Sequence, residues 1–137
     1  RNSYRIDIWV ATLEKARSNL WWGSGYFCDT VVLHIDGIDM QHAHNVYLAT
    51  LRDGGIIGLT LLMAAVSAAT WRAWRQARET GRYLTLALLT YGLTAVFFDN
   101  DRLIDNPEEL WIFFWYPISR VIAHDLRQAD RLGLAQQ

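Results

Sequence analysis

Gly54-Gly55-Ile56-Ile57-Gly58-Leu59-Thr60-Leu61-Leu62-Met63-Ala64-Ala65-Val66-Ser67-Ala68-Ala69-Thr70-Trp71 is the stretch on which the fold turns. Its 18 residues carry no charge. As a helix rising about 1.5 Å per residue it reaches roughly 27 Å, close to the ~30 Å hydrocarbon core of a bilayer. A second uncharged run, Tyr83 to Phe98, has 16 residues. A third candidate follows Asn106-Pro107-Glu108-Glu109. That is a helix start with an Asn cap, a proline in the first turn and acids at the positive end of the dipole. It continues through Leu110-Trp111-Ile112-Phe113-Phe114-Trp115-Tyr116-Pro117, with an expected kink at Pro117 and a charge at Arg120 that interrupts the apolar run.

The competing reading is a soluble all-α domain with three buried helices. The connecting charges count against it. Between the first two runs stand four arginines (72, 75, 78 and 82) against Glu79, a net of +3. Between the second and third stands Arg102 against five acids (99, 101, 105, 108 and 109), a net of −4. Basic loops stay on the cytoplasmic side. The arginine loop is therefore expected in the cytoplasm, and residues 1–53 on the opposite face. Arg127 and Arg131 then return the chain to the cytoplasm.

Composition fits segregated apolar and charged segments. Hydrophobic residues make up 52% of the 137 and charged residues 20%, so mean hydropathy is only +0.03. The 7 tryptophans suit the headgroup layer. A net charge of −1 points away from nucleic acid. The single Cys28 excludes an internal disulfide or a cysteine-rich zinc site. The chain opens on Arg1 and is expected to be part of a longer one. No internal repeat or low-complexity segment is visible.

Upstream of the decisive stretch, residues 3–20 read as an amphipathic helix. Ile6, Trp9, Val10, Leu13, Ala16 and Leu20 recur at spacings of three and four. Gly23-Ser24-Gly25, flanked by aromatics, marks a turn. Residues 28–41 are irregular: Thr30 to Ile35 has strand character, but Asp36, Gly37 and Asp39 favour a loop. Val46 to Asp53 reads as a short helix that begins near His44 or Asn45 and is interrupted by Gly54-Gly55.

Several groups here can carry chemistry. The His44 imidazole suits proton transfer from a hydroxyl. On local sequence alone the plainer reading, a packed histidine at a loop–helix junction, outweighs it. His34, Asp36, Asp39, His42 and His44 contain a His-x-His spacing that can bind zinc or copper, but no spacing among them is diagnostic. Arg5 can clamp phosphate with its planar fork, or simply be solvated. Arg120 in a membrane helix needs a partner or snorkels to the surface. His124 and Asp125 are assigned no role. No serine–histidine–aspartate order, phosphate loop or dinucleotide fingerprint is present.

In order, Arg5, Ile8-Trp9, Gly23-Ser24-Gly25, His44-Asn45, nine spacer residues (46–54) and Gly55-Ile56-Ile57-Gly58 form a recognisable set. The set resembles the bacterial O-antigen ligase family, in which an Arg-x-x-x-Trp-like helix precedes a His-Asn pair, a nine-residue spacer and a Gly-x-x-Gly helix start. It covers about residues 5–62. Related enzymes are O-antigen polymerases and protein O-oligosaccharyltransferases. The resemblance implies a polyprenyl-diphosphate-linked glycan donor. It implies transfer to an acceptor hydroxyl, a lipid A core sugar in the ligases, at the periplasmic face of the bacterial inner membrane. Neither a cofactor nor a metal is implied. It implies His44 as the catalytic base, Arg5 as the group that neutralises the diphosphate, and Asn45 as a substrate-side residue that orients His44 or caps the helix. The family's other phosphate-contacting arginine lies in an earlier membrane helix, so this chain alone is expected to be inactive.

The expected fold class is all-α. It is an integral membrane fragment with a periplasmic loop region (1–53) carrying amphipathic helices. Three C-terminal membrane helices follow (about 54–71, 83–98 and 107–126), then a cytoplasmic tail (127–137). The partners expected are donor, acceptor and lipid bilayer, with no nucleic acid. The rival from another class is a non-enzymatic metal-binding or scaffold module built on His34, His42 and His44.

Overall fold

A computed structural model describes residues 3–25, 33–35, 38–40, 43–99 and 111–134. The chain is predominantly helical. Helix α1 (Ser3–Ser18) is followed by two short strands, β1 (Leu33–Ile35) and β2 (Ile38–Met40). Then come α2 (Val46–Thr80), α3 (Leu84–Asp99), a π-helical segment (Trp111–Trp115) and α4 (Tyr116–Leu134). The chain divides into two compact units. The first contains residues 1–64 and 95–105, the second residues 65–94 and 106–137.

In the first unit β1 and β2 pair antiparallel, with Leu33 opposite Met40, His34 opposite Asp39 and Ile35 opposite Ile38. This short pair adds to the helical class where the sequence favoured a loop, and α1 lies against β1. Ile8, Thr12 and Ala16 form the buried face of α1, and Trp9 is half-buried. Four of the residues expected to be buried there, Ile6, Val10, Leu13 and Leu20, are exposed instead. A threonine belongs to the buried stripe because its hydroxyl donates to the Ile8 carbonyl at 2.7 Å. The polar group is thereby satisfied without leaving the helix.

Helix α2 is broken at Gly55, whose φ of 63° and ψ of −165° lie outside the helical region. The break frees backbone groups on both sides, and the turn after α1 takes them up. The amides of Ser24 and Gly25 donate to the carbonyls of Arg52 and Asp53 at 2.9 and 3.0 Å. The amides of Ile56 and Ile57 donate to the carbonyls of Leu20 and Trp21 at 2.8 and 3.4 Å. The two backbones touch. A Cβ on Gly23 would stand 2.3 Å from the Asp53 carbonyl, and one on Gly55 2.3 Å from the Trp21 carbonyl. Both glycines also have positive φ (73° and 63°), so each is required twice over.

Among the described residues, α2 is the helix long and apolar enough to cross a membrane. Only 6% of its apolar window is buried within the chain. Ile57, Leu61 and Met63 are exposed on it. The soluble-domain reading needs a buried core helix, and this one is not buried. Helix α2 starts at Val46, ahead of the expected start at Gly54, and its break falls beside the expected 53/54 boundary.

The expectation of three spans is not met in full. Helix α3 has 16 residues, about 24 Å at ~1.5 Å per residue, which is short of a full hydrocarbon core. Residues 107–110, where the third span was expected to begin, lie outside the described residues. The remainder is the π-helical segment joined to α4, which is amphipathic and runs to Leu134. Its charges at Arg120, Asp125, Arg127, Asp130 and Arg131 break any long apolar run. Pro117 is the second residue of α4, and the π-helical segment ends two residues before it. A proline lacks the amide for the α-type bond, and a widened turn accommodates the loss.

In the second unit Tyr91 of α3 meets Phe113 edge to face at 4.7 Å. Arg72 of α2 pairs with Asp125 of α4.

Candidate active site

The site is built around the start of α2. Asn45 is the N-cap. Its Oδ1 accepts from the amides of Tyr47 and Leu48 at 3.0 and 3.1 Å. Its carbonyl takes the Ala49 amide at 2.9 Å. The Tyr47 and Leu48 amides are donors a helix start otherwise leaves without partners. Asn45 is 2% exposed, and at that depth its side-chain oxygen accepts two hydrogen bonds.

His44 precedes the cap with φ 47°, a left-handed backbone in a residue other than glycine. Such a conformation costs on the order of 1 kcal/mol and tends to occur where structure over-determines it for function. The neighbours supply that over-determination. Ala43 before it and Asn45 after it are buried, while His44 itself is half-buried.

A second tether comes from α1. The Trp9 indole Nε1 donates to the Ala43 carbonyl at 3.1 Å. Phe97 packs against both sides of this joint. Its ring stands edge to face with Trp9 at 5.9 Å and tilted against Tyr47 at 6.1 Å. The segment that presents His44 is therefore held from α1, from α2 and from the end of α3, all within the first unit.

Arg5 is exposed on α1, one turn before Trp9. Four residues rise about 6 Å along a helix, so Arg5 stands about that far along α1 from the Trp9 tether to Ala43. The structure thus places Arg5, His44 and Asn45 in one unit, with Asn45 below the surface as the cap and the other two able to meet solvent.

The metal set is not assembled by the described geometry. His34 and Asp39 sit opposite each other across the strand pair, while Asp36 and His42 lie outside the described residues. Among the described residues no group of three His, Cys, Asp or Glu side chains converges to hold an ion.

Sequence reasoning gave Arg52 and Asp53 no role. They form a buried bidentate pair, Nε to Oδ1 at 2.6 Å and Nη2 to Oδ2 at 3.0 Å, with side chains 7% and 5% exposed. Their carbonyls receive the Ser24 and Gly25 amides, so the pair stiffens the half-turn that the 23–25 loop grips. The available signal was two adjacent opposite charges immediately before a glycine pair at the head of an apolar helix.

Residues 1–63 match the family described as O-antigen ligase. The matched segment contains every residue of the site except Phe97. Arg5, Trp9, His44-Asn45 and Gly55–Gly58, on which the resemblance was drawn, all lie within the matched segment. The chain is also similar to an O-antigen ligase of Pseudomonas aeruginosa, 29% identical over 134 residues. The alignment covers 96% of this chain and 33% of that protein, so the chain spans about a third of the relative's length. No solved structure matches the chain.

Proposed function

We propose that the chain is part of a glycosyltransferase of the O-antigen ligase type in the bacterial inner membrane, with residues 1–53 facing the periplasm. It takes a polyprenyl-diphosphate-linked glycan as donor and passes the glycan to an acceptor hydroxyl, that of a lipid A core sugar. The observation that carries this reading is His44, held in a left-handed conformation directly before the Asn45 cap and tied through Trp9 to the helix that bears Arg5.

In the proposed step the acceptor O–H bond breaks and its proton passes to the His44 imidazole. The acceptor oxygen bonds to the anomeric carbon of the glycan. The anomeric carbon–oxygen bond to the diphosphate breaks, and the electron pair leaves with the polyprenyl diphosphate. Arg5 neutralises that leaving group, whose charge grows in the transition state. Asn45 positions His44 by fixing the helix start.

The test is His44→Ala in the full-length protein, read from the lipopolysaccharide of a strain lacking the native gene. Expected is loss of long-chain O-antigen with protein level and membrane insertion retained. Near-normal glycan attachment by the variant removes His44 from the mechanism. Arg5→Ala should weaken donor binding, and unchanged donor affinity returns Arg5 to a solvated helix face.

A further inference from the structure

The second unit holds a cavity of about 400 Å³ that the transfer reaction does not use. Its walls include Arg82 and Tyr83 from the α2–α3 connection, Leu84 and Leu88 from α3, and Tyr116 and Arg120 from α4. Two arginines from different elements line it, and among the described residues no carboxylate does. The nearby arginines are engaged elsewhere: Arg72 pairs with Asp125, Arg75 with Glu79, and Arg78 lies 5.1 Å over the Trp74 ring. Among the described residues Arg82 and Arg120 have no carboxylate partner.

Two like charges facing one cavity repel, and an anion between them removes the repulsion. The same cavity includes the first turn of α3. The first bond closing that helix is the Ala87 amide to the Tyr83 carbonyl at 2.9 Å, so the amides of Leu84, Thr85 and Leu86 precede it, at the positive end of the dipole. Leu84 and Leu88 give the cavity an apolar wall, which a soluble anion does not need and an acyl chain does. Exposed Trp71 and Trp74 on α2, with exposed Tyr83 and Tyr116 at the cavity, are the aromatic residues of a headgroup layer.

We propose that this cavity binds one anionic phospholipid, its phosphate between Arg82 and Arg120 and an acyl chain along Leu84 and Leu88. A basic pocket with an apolar wall at a bilayer surface holds an anionic headgroup in this way. The commitment to a lipid rests on the apolar wall and on α2 as a membrane-crossing helix, and is independent of the transfer reaction.

The test uses the full-length protein in mild detergent, with lipid retention read by native mass spectrometry from mixtures of phosphatidylglycerol and phosphatidylethanolamine. Wild type should keep phosphatidylglycerol in clear preference. The pair Arg82→Gln and Arg120→Gln should lower that preference about tenfold or more, because two charge-assisted contacts are removed. The pair Arg82→Lys and Arg120→Lys should keep most of it. Both arginines are exposed, so each single Gln variant serves if the double one cannot be purified, and each should lose part of the preference. An unchanged preference in the Gln variants overturns the site. So does wild type that holds inorganic phosphate equally well with no lipid present.

Discussion

His44 pays for its backbone conformation, and that cost frames a test between the two roles which the sequence left side by side. A histidine that merely packs at a loop–helix junction needs no positive φ. Asparagine and glycine adopt the left-handed region more readily than alanine. His44→Asn and His44→Gly are therefore expected to fold as well as wild type, while abolishing O-antigen attachment. Thermal unfolding in detergent and a lipopolysaccharide gel check the two halves separately. Asn45 offers a second partition. Asn45→Ala removes both capping bonds and should lower stability by about 1 kcal/mol. Asn45→Asp restores an acceptor oxygen at the cap. If Asp recovers stability and transfer together, Asn45 acts through the position of His44. If stability returns without transfer, its amide touches the substrate. The pairing of His44 with Asn45 was visible in the sequence. The positive φ of His44 and the burial of the Asn45 cap were not, because a backbone angle and burial do not follow from residue type.

At the scale of elements, the joint between the 19–25 turn and the α2 break decides whether the site exists. Four backbone bonds cross it, and the two glycines meet carbonyl groups with no room for a methyl. Gly23→Ala and Gly55→Ala are each expected to abolish the folded state or transfer. Gly54→Ala is the control, since nothing lies within 4 Å of a Cβ there. It should be tolerated, and the higher helix propensity of alanine offsets any small loss. In a stability assay, equal tolerance at all three positions would sink the interlock. The sequence announced both halves of this joint, as Gly23-Ser24-Gly25 and as Gly54-Gly55. Their meeting is a long-range pairing, which no local pattern encodes. The same limit explains α1. Its spacing gave a helix, but the buried face proved to be Ile8, Thr12 and Ala16. Close approach to a neighbour selects small or self-satisfied side chains over large apolar ones. The apolar residues left outside then suit lipid or further protein.

For the whole molecule, the open question is which side of the bilayer each end of α2 faces. The charge count puts four arginines between the first two apolar runs, and α2 is the helix whose length and composition suit a crossing. The proposed chemistry needs His44 on the periplasmic side, because diphosphate donor and core acceptor meet there in the proposed reaction. A single-cysteine experiment decides it. Cys28 is the chain's only cysteine, so Cys28→Ser clears this chain as background once any cysteines elsewhere in the protein are also replaced. Ser24→Cys then reports on the turn beside the α2 break, and Thr80→Cys on the far end of the helix. In intact cells a membrane-impermeant maleimide that has passed the outer membrane should label Ser24→Cys. It should reach Thr80→Cys only after the inner membrane is opened. Labelling of both in intact cells would mean that α2 does not cross. The reverse pattern would put His44 in the cytoplasm, where neither the periplasmic acceptor nor the proposed transfer is available. The expected pattern joins the arginine bias, the length of α2 and the position of His44 into one requirement: the helix that starts at the Asn45 cap carries the chain away from the reaction to the opposite side of the membrane.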